Sequence, residues 1–266
     1  MKKITFTICV LLLLGSLQSQ TVDNYLTFAP QWNYISSKDD VMSPLVYRGH
    51  HGSLRTGYKR INTKGTVNEV YGSFSMGYIH SDVYPEFNSR AFSSMGSLTY
   101  RHIRTVTDSA FSLPVTFKVG GALHNVVYGK DNLRFTNNAF LMDYSSSLGI
   151  AARLGKEFEL FGRAFQAHIN GSVALLNYVL RPSFANSSPE AQLSGDYSGL
   201  KAFWKSAELK TISDFQQIAT GLSLRYHLQN GNAVRLSYRW RFTHYKDIAE
   251  MYRASHAISV STHFKF

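Results

Sequence analysis

Polar and apolar residues alternate with a period of two along most of this chain, most cleanly in the final stretch A-I-S-V-S-T-H-F-K-F at 257–266. Ile258, Val260, Thr262, Phe264 and Phe266 fall on one face of an extended segment, and Ser259, Ser261, His263 and Lys265 on the other. Strand side chains point alternately to opposite faces, so this is a strand with one apolar and one polar side. Read backwards from it, the pattern predicts ten strands, over 24–35, 50–61, 67–80, 92–104, 113–128, 143–154, 163–180, 215–228, 233–245 and 255–266. Their connections alternate in length. Those at 62–65, 105–112, 155–162 and 229–231 are compact, and Asn230-Gly231 is a hairpin-turn signal. Those at 36–49, 81–91, 129–142, 181–214 and 246–254 are long and all fall on the opposite side.

An apolar strand with nothing to cover it is an aggregation hazard in a soluble domain. In a membrane barrel it pairs with the first strand and turns its apolar face to lipid. A last strand ending in Phe resembles the C-terminal strand of bacterial outer-membrane β-barrels, where it serves as the assembly signal. The resemblance implies an all-β, transmembrane, antiparallel up-and-down barrel of about ten strands. It also implies an outer-membrane location with both termini periplasmic, the long loops extracellular, and lipid, lipopolysaccharide and the barrel assembly machinery as partners. Aromatic residues sort by depth as such a barrel requires: Tyr58, Tyr100, Tyr226 and Phe264 towards one end, Trp32, Tyr34, Tyr78 and Trp240 towards the other. A soluble β-sandwich, the competing all-β reading, has no need of that sorting.

The first residues fit this address. Met1-Lys2-Lys3 and the apolar run 4–14 precede a small and polar stretch ending in L-Q-S-Q, which predicts a signal peptide over 1–20 and a barrel over 21–266. The L-Q-S-Q end resembles the signal regions of envelope proteins from Bacteroidetes, hence a Gram-negative cell. Cys9 is the single cysteine and lies within the signal, so the mature chain is expected to hold no disulfide and no thiolate site.

Charge changes the picture more than composition does. The formal net charge is +11, or +9 once Lys2 and Lys3 are removed, and no nucleic-acid motif accompanies it. In the strand 233–245, Val234, Leu236, Tyr238, Trp240 and Phe242 share one face, opposite Arg235, Ser237, Arg239 and Arg241. An arginine facing lipid near the midplane costs about 2–4 kcal/mol, so the arginines must face the lumen. Extended to every strand, the rule sends Arg55, Lys59, Arg101, Lys118, Arg153, Arg225, Arg235, Arg239, Arg241 and Lys265 inward, with His124, His168, His227 and His263. Glu69 is the one carboxylate it places among them. Burying so many unpaired cations dry is prohibitive, so the lumen is expected to be hydrated. Two readings stay open: a narrow pore or binding site for small anionic solutes, using Arg55, Arg101, Lys118, Arg153, Arg225, Arg235, Arg239 and Arg241, or a hydrated polar network bracing a structural or adhesive barrel. No cofactor or metal ligand set is expected, and a monomer is.

Enzymatic alternatives find thin support. Ten strands and acids near the loop-bearing rim, Asp39, Asp40, Asp82, Asp143 and Asp247 with His244, invite comparison with the omptin proteases, but no Asp-Asp or Asp-His spacing matches. A barrel enzyme modifying lipid A would need a His–Ser pair, and His80-Ser81-Asp82 is the compact candidate. Neighbours on a strand point to opposite faces, so that trio is poorly arranged for a proton relay. Within the loop 181–214, Leu200, Phe203, Trp204 and Ala207 recur at helical spacing, flanked by Lys201, Lys205, Glu208 and Lys210, which predicts a short amphipathic helix.

Overall fold

Alternation translates directly into a hydrogen-bonded wall. The computed structural model describes residues 23–83, 89–110, 113–132, 140–181, 205–247 and 249–266. Its strands are β1 (Asp23–Asp39), β2 (Ser43–Ile61), β3 (Val67–His80), β4 (Arg90–Thr107), β5 (Thr116–Asp131), β6 (Phe140–Leu160), β7 (Arg163–Leu180), β8 (Glu208–Thr211), β9 (Phe215–His227), β10 (Ala233–Tyr245) and β11 (Met251–Lys265). Pairing is antiparallel throughout, and β1 meets β11 from Tyr25 opposite Lys265 to Asp39 opposite Met251. That seam closes ten strands into a barrel; β8 is a short addition that pairs only with 176–179 of β7. The terminal strand thus has the partner its sequence demanded.

All ten expected strands are present, and several run further than the pattern suggested. The connection expected at 36–49 is mostly strand: β1 continues to Asp39 and β2 begins at Ser43. Leu45, Tyr47 and Gly49 continue the inward series, and Tyr47 packs with Ile79 and Ala91. The compact 155–162 connection shrinks to Phe161-Gly162, both with positive φ (53° and 67°), the backbone of a two-residue hairpin turn. The helix expected near 200–210 falls largely outside the described residues. Lys205, the first described residue of that stretch, is helical, and Glu208–Thr211 is strand, because its backbone pairs with the end of β7.

The distribution of side chains is inverted relative to a soluble protein. Leu26, Phe28, Leu54, Phe74, Leu98, Leu148, Ile150, Leu222, Leu236 and Val260 are exposed on the outer wall, while Lys59, Glu69, Arg153, Arg225 and His263 are buried inside. This suits a barrel surrounded by hydrocarbon. Aromatic rings flank the apolar band, and their polar ends find partners: Tyr58 donates to Asn24 Oδ1 at 2.7 Å and Tyr100 to Asn68 Oδ1 at 3.1 Å. Inward glycines let the wall curve tightly. A Cβ on Gly57 would sit 2.1 Å from Cδ1 of Tyr71, whose ring lies over it, and one on Gly120 would sit 2.0 Å from the His102 carbonyl oxygen. The second clash is with backbone and has no side-chain remedy.

Candidate functional site: the charged interior

Strand parity decides what fills the barrel. Among the described residues the interior carries twelve cations (Arg55, Lys59, Arg101, Lys118, Lys130, Arg153, Arg181, Arg225, Arg235, Arg239, Arg241 and Arg253) against three carboxylates (Asp39, Glu69 and Asp143). Every arginine and lysine that the alternation assigned to the lumen is there except Lys265. That residue ends β11 at the rim, exposed, and pairs with Asp23 at 2.7 Å. The last inward position of a strand lies beyond the wall and opens to water.

The interior charges form three tiers. Towards the end that carries the chain termini, Glu69 on β3 gathers cations from three other strands. Arg153 on β6 donates from one terminal nitrogen to both carboxylate oxygens at 2.9 Å, and Arg101 on β4 stands 3.5 Å away. Lys59, opposite Glu69 on β2, adds a third positive charge. Arg153 can reach across because Gly120, Ala122 and Ala151 leave space beneath it, and its Nε donates to Asn170 at 2.6 Å. At the rim below, Lys118 donates to the Gly65 carbonyl at 2.7 Å.

Towards the other end, β1, β5, β6, β7 and β11 contribute a tier of matched pairs. Arg181 grips Asp39 through two contacts of 2.6 and 2.9 Å. Arg253 pairs with Asp143 at 2.7 Å and lies 3.5 Å over the Tyr128 ring. Lys130 lies 3.4 Å over Tyr47. Sequence reasoning misses this tier. It places Asp39 and Asp143 at the rim, whereas both are buried; Arg181, Arg253 and Lys130 lie at or beyond the expected strand ends. Continuing the odd-numbered inward series past 255 to 253, and the even-numbered one past 128 to 130, would have found the last two.

Between these tiers the balance fails. Among the described residues, no carboxylate comes within salt-bridge distance of Arg55, Arg235, Arg239 or Arg241, nor of Arg225, which lies with Lys59 beside the Tyr25 ring at the level of the Glu69 tier. Arg55 stacks on Tyr71 at 3.9 Å, and Arg239 makes a long contact of 3.4 Å to Gln31. Arg55, Arg239 and Arg241 each stand in the repulsive field of other central arginines. At an effective dielectric of about 20, two such charges roughly 7 Å apart repel by about 2 kcal/mol. Arg55, Arg235, Arg239 and Arg241 surround a cavity of about 70 Å³, lined also by Glu69, Thr99, Arg101, His124 and Arg153. That is room for about five waters, or for one small ion with part of its shell.

Among the described residues, three interior histidines are engaged with hydroxyls. His51, His124 and His263 face the hydroxyls of Ser93, Thr99 and Thr27 at 2.6, 3.1 and 3.0 Å. Among the described residues no group of His, Cys, Asp and Glu could hold a metal. Of the acids expected at the rim, Asp39 and Asp143 pair as above, Asp40 pairs with Lys38 and Asp247 with Lys210, and Asp82 lies 3.2 Å from the His80 imidazole. His80 and Asp82 are exposed 3.2 Å apart, while Ser81 is buried on the opposite face, as the alternation required.

No family model and no curated protein matches this chain. Solved structures do. The outer membrane protease OmpT from Escherichia coli superposes at a TM-score of 0.50 with 6% identity, over 94% of this chain and 99% of that one. The translocator domain of autotransporter NalP from Neisseria meningitidis gives 0.37 at 7% identity (99% and 96%). Ail, the attachment invasion locus protein of Yersinia pestis, gives 0.30 at 9% identity (91% and 99%). At these identities only the fold is shared, and fold does not carry chemistry with it. The chain is a closed ten-stranded β-barrel of the outer-membrane kind.

Proposed function

We propose that this outer-membrane barrel binds small oxyanions, phosphate or sulfate in kind, among the central arginines. The observation that carries the reading is the middle tier, four arginines without a carboxylate partner among the described residues, around a small cavity. Guanidinium groups match tetrahedral oxyanions through paired N–H donors, and an anion held there would relieve the mutual repulsion of its hosts. The matched pairs on one side and the Glu69 cluster on the other favour a binding chamber over a wide channel. The reading includes a signal peptide over 1–20, periplasmic termini and a monomeric barrel in a Gram-negative envelope.

The test is saturable stabilisation of the purified barrel by phosphate at constant ionic strength, read as the temperature at which gel migration changes from folded to unfolded. Arg239→Glu combined with Arg241→Glu should leave a folded barrel, supply the missing carboxylates from within, and abolish the response. A folded wild-type barrel with no saturable response refutes the proposal. Anion-selective conductance in planar bilayers, weakened or reversed in the double variant, would add passage to binding.

A further inference from the structure

The outer wall is not evenly apolar. At the loop-bearing end, Arg48 on β2 stands opposite His80 on β3, and His80 stands opposite Arg90 on β4. All three are exposed on the outward face. One row closer to the apolar band, the same strands carry His50, Tyr78 and Phe92. Tyr78 and Phe92 meet edge to face at 5.6 Å, and the Arg90 guanidinium lies 3.7 Å over the Tyr78 ring.

Aromatic rings of this kind settle at the boundary between acyl chains and headgroups. Two residues further along a strand tilted by about 40° is a rise of roughly 5 Å, the depth of the headgroup phosphates. On β2, Arg60 lies twelve residues from Arg48, which at that tilt is roughly 30 Å of height, one hydrocarbon thickness. Followed along the ladder in the other direction, the row of Arg48 passes Ser36 on β1 and Ala254 on β11, and the next outward cation on β1, Lys38, pairs with Asp40. Arg48, His80 and Arg90 stand together as one cluster on β2–β4.

We propose that Arg48, His80 and Arg90 form a binding site for the phosphate of a membrane lipid headgroup, with the acyl chains lying down the wall past Tyr78 and Phe74. Two arginine forks flanking an imidazole provide the donors a phosphate needs, and Arg90 is held in place by the ring beneath it. Asp82 pairs with His80 at 3.2 Å and marks the edge of the patch away from the membrane. The site is on the outside of the barrel, so it stands or falls independently of anion binding in the lumen.

Native mass spectrometry of the full-length mature barrel in a neutral detergent tests it, with bisphosphorylated lipid A, phosphatidylglycerol and dephosphorylated lipid A titrated separately. Saturable one-to-one retention of a phosphorylated lipid is expected, and which of the first two binds tighter identifies the source. Arg48→Ala with Arg90→Ala should weaken retention about 30-fold, from about tenfold or less per juxtamembrane arginine. Should that variant fail to fold, Arg48→Lys with Arg90→Lys keeps the charge, loses the fork and should weaken retention measurably. Arg104→Ala, at the other end, should not. Unchanged retention in both arginine variants, an equal loss in the Arg104 variant, equal retention of dephosphorylated lipid A, or displacement of lipid by equimolar inorganic phosphate would each overturn the proposal.

Discussion

Glu69→Gln removes the one acid of the inner tier while keeping its shape and one hydrogen-bond acceptor. The wild-type carboxylate has the Arg153 guanidinium at 2.9 Å and that of Arg101 at 3.5 Å, and it is 1% exposed. At an effective dielectric of about 20, a unit charge pair at roughly 4 Å is worth about 4 kcal/mol before desolvation. Breaking a buried pair by removing one partner strands the other and costs about 3–5 kcal/mol. The substituted amide oxygen can still accept from Arg153, so the lower end of that range, about 3 kcal/mol, is the expected loss. It would be measured as the change in unfolding free energy from reversible urea titration of the barrel in detergent, with gel migration as a second probe. Adding Arg153→Met to the Glu69→Gln variant removes the stranded cation and should recover most of the loss, since replacing both members of a buried pair by uncharged groups is often near neutral. Saturating phosphate should also recover part of it if the chamber takes an anion. A cost below about 1 kcal/mol for Glu69→Gln, or a double variant no more stable than the single one, would refute the view that Glu69 is the counter-charge on which the inner tier depends.

Two further substitutions test the wall. Gly120→Ala puts a Cβ 2.0 Å from the His102 carbonyl oxygen and should largely abolish the heat-modifiable folded band, whereas Gly52→Ala, where a Cβ meets nothing within 4 Å, should migrate as wild type. Leu236→Arg, on the outward face of β10 about midway between the aromatic rows, should cost about 2–4 kcal/mol in the same urea titration.

Much of the fold was legible because a barrel is a one-dimensional code repeated ten times. Parity along a strand sets which face a residue takes, and a single anchor such as Arg239 and Arg241 opposite Leu236 and Tyr238 fixes inside from outside. Boundaries were less legible. The pattern through Leu45, Tyr47 and Gly49 is as periodic as that through 50–61, but Asp39-Asp40 and Pro44 read as loop residues. In the structure Asp39 is buried because Arg181, 142 residues away, neutralises it. A charged residue reads as exposed until its partner is known.

The partners themselves could not have been read from the sequence, and the reason is geometric. Arg153 and Glu69 are 84 residues apart on strands separated by two others, β4 and β5, so their meeting depends on how far each strand is staggered against the next. Stagger follows from the accumulated pairing of every hairpin, including the bulges at 105–107 and 148–149, and no local pattern encodes it. Parity could therefore assign nearly all the interior cations but not sort them into paired and unpaired. That sorting is what the proposed anion binding rests on. A barrel stabilised only by matched pairs would repeat the Arg181–Asp39 and Arg253–Asp143 arrangement at every level. Instead the middle level keeps four arginines in one another's field with no carboxylate partner among the described residues, and water or an anion there would offset the repulsion. Stability and occupancy are then linked, and an anion that fills the chamber must raise the unfolding temperature as it binds.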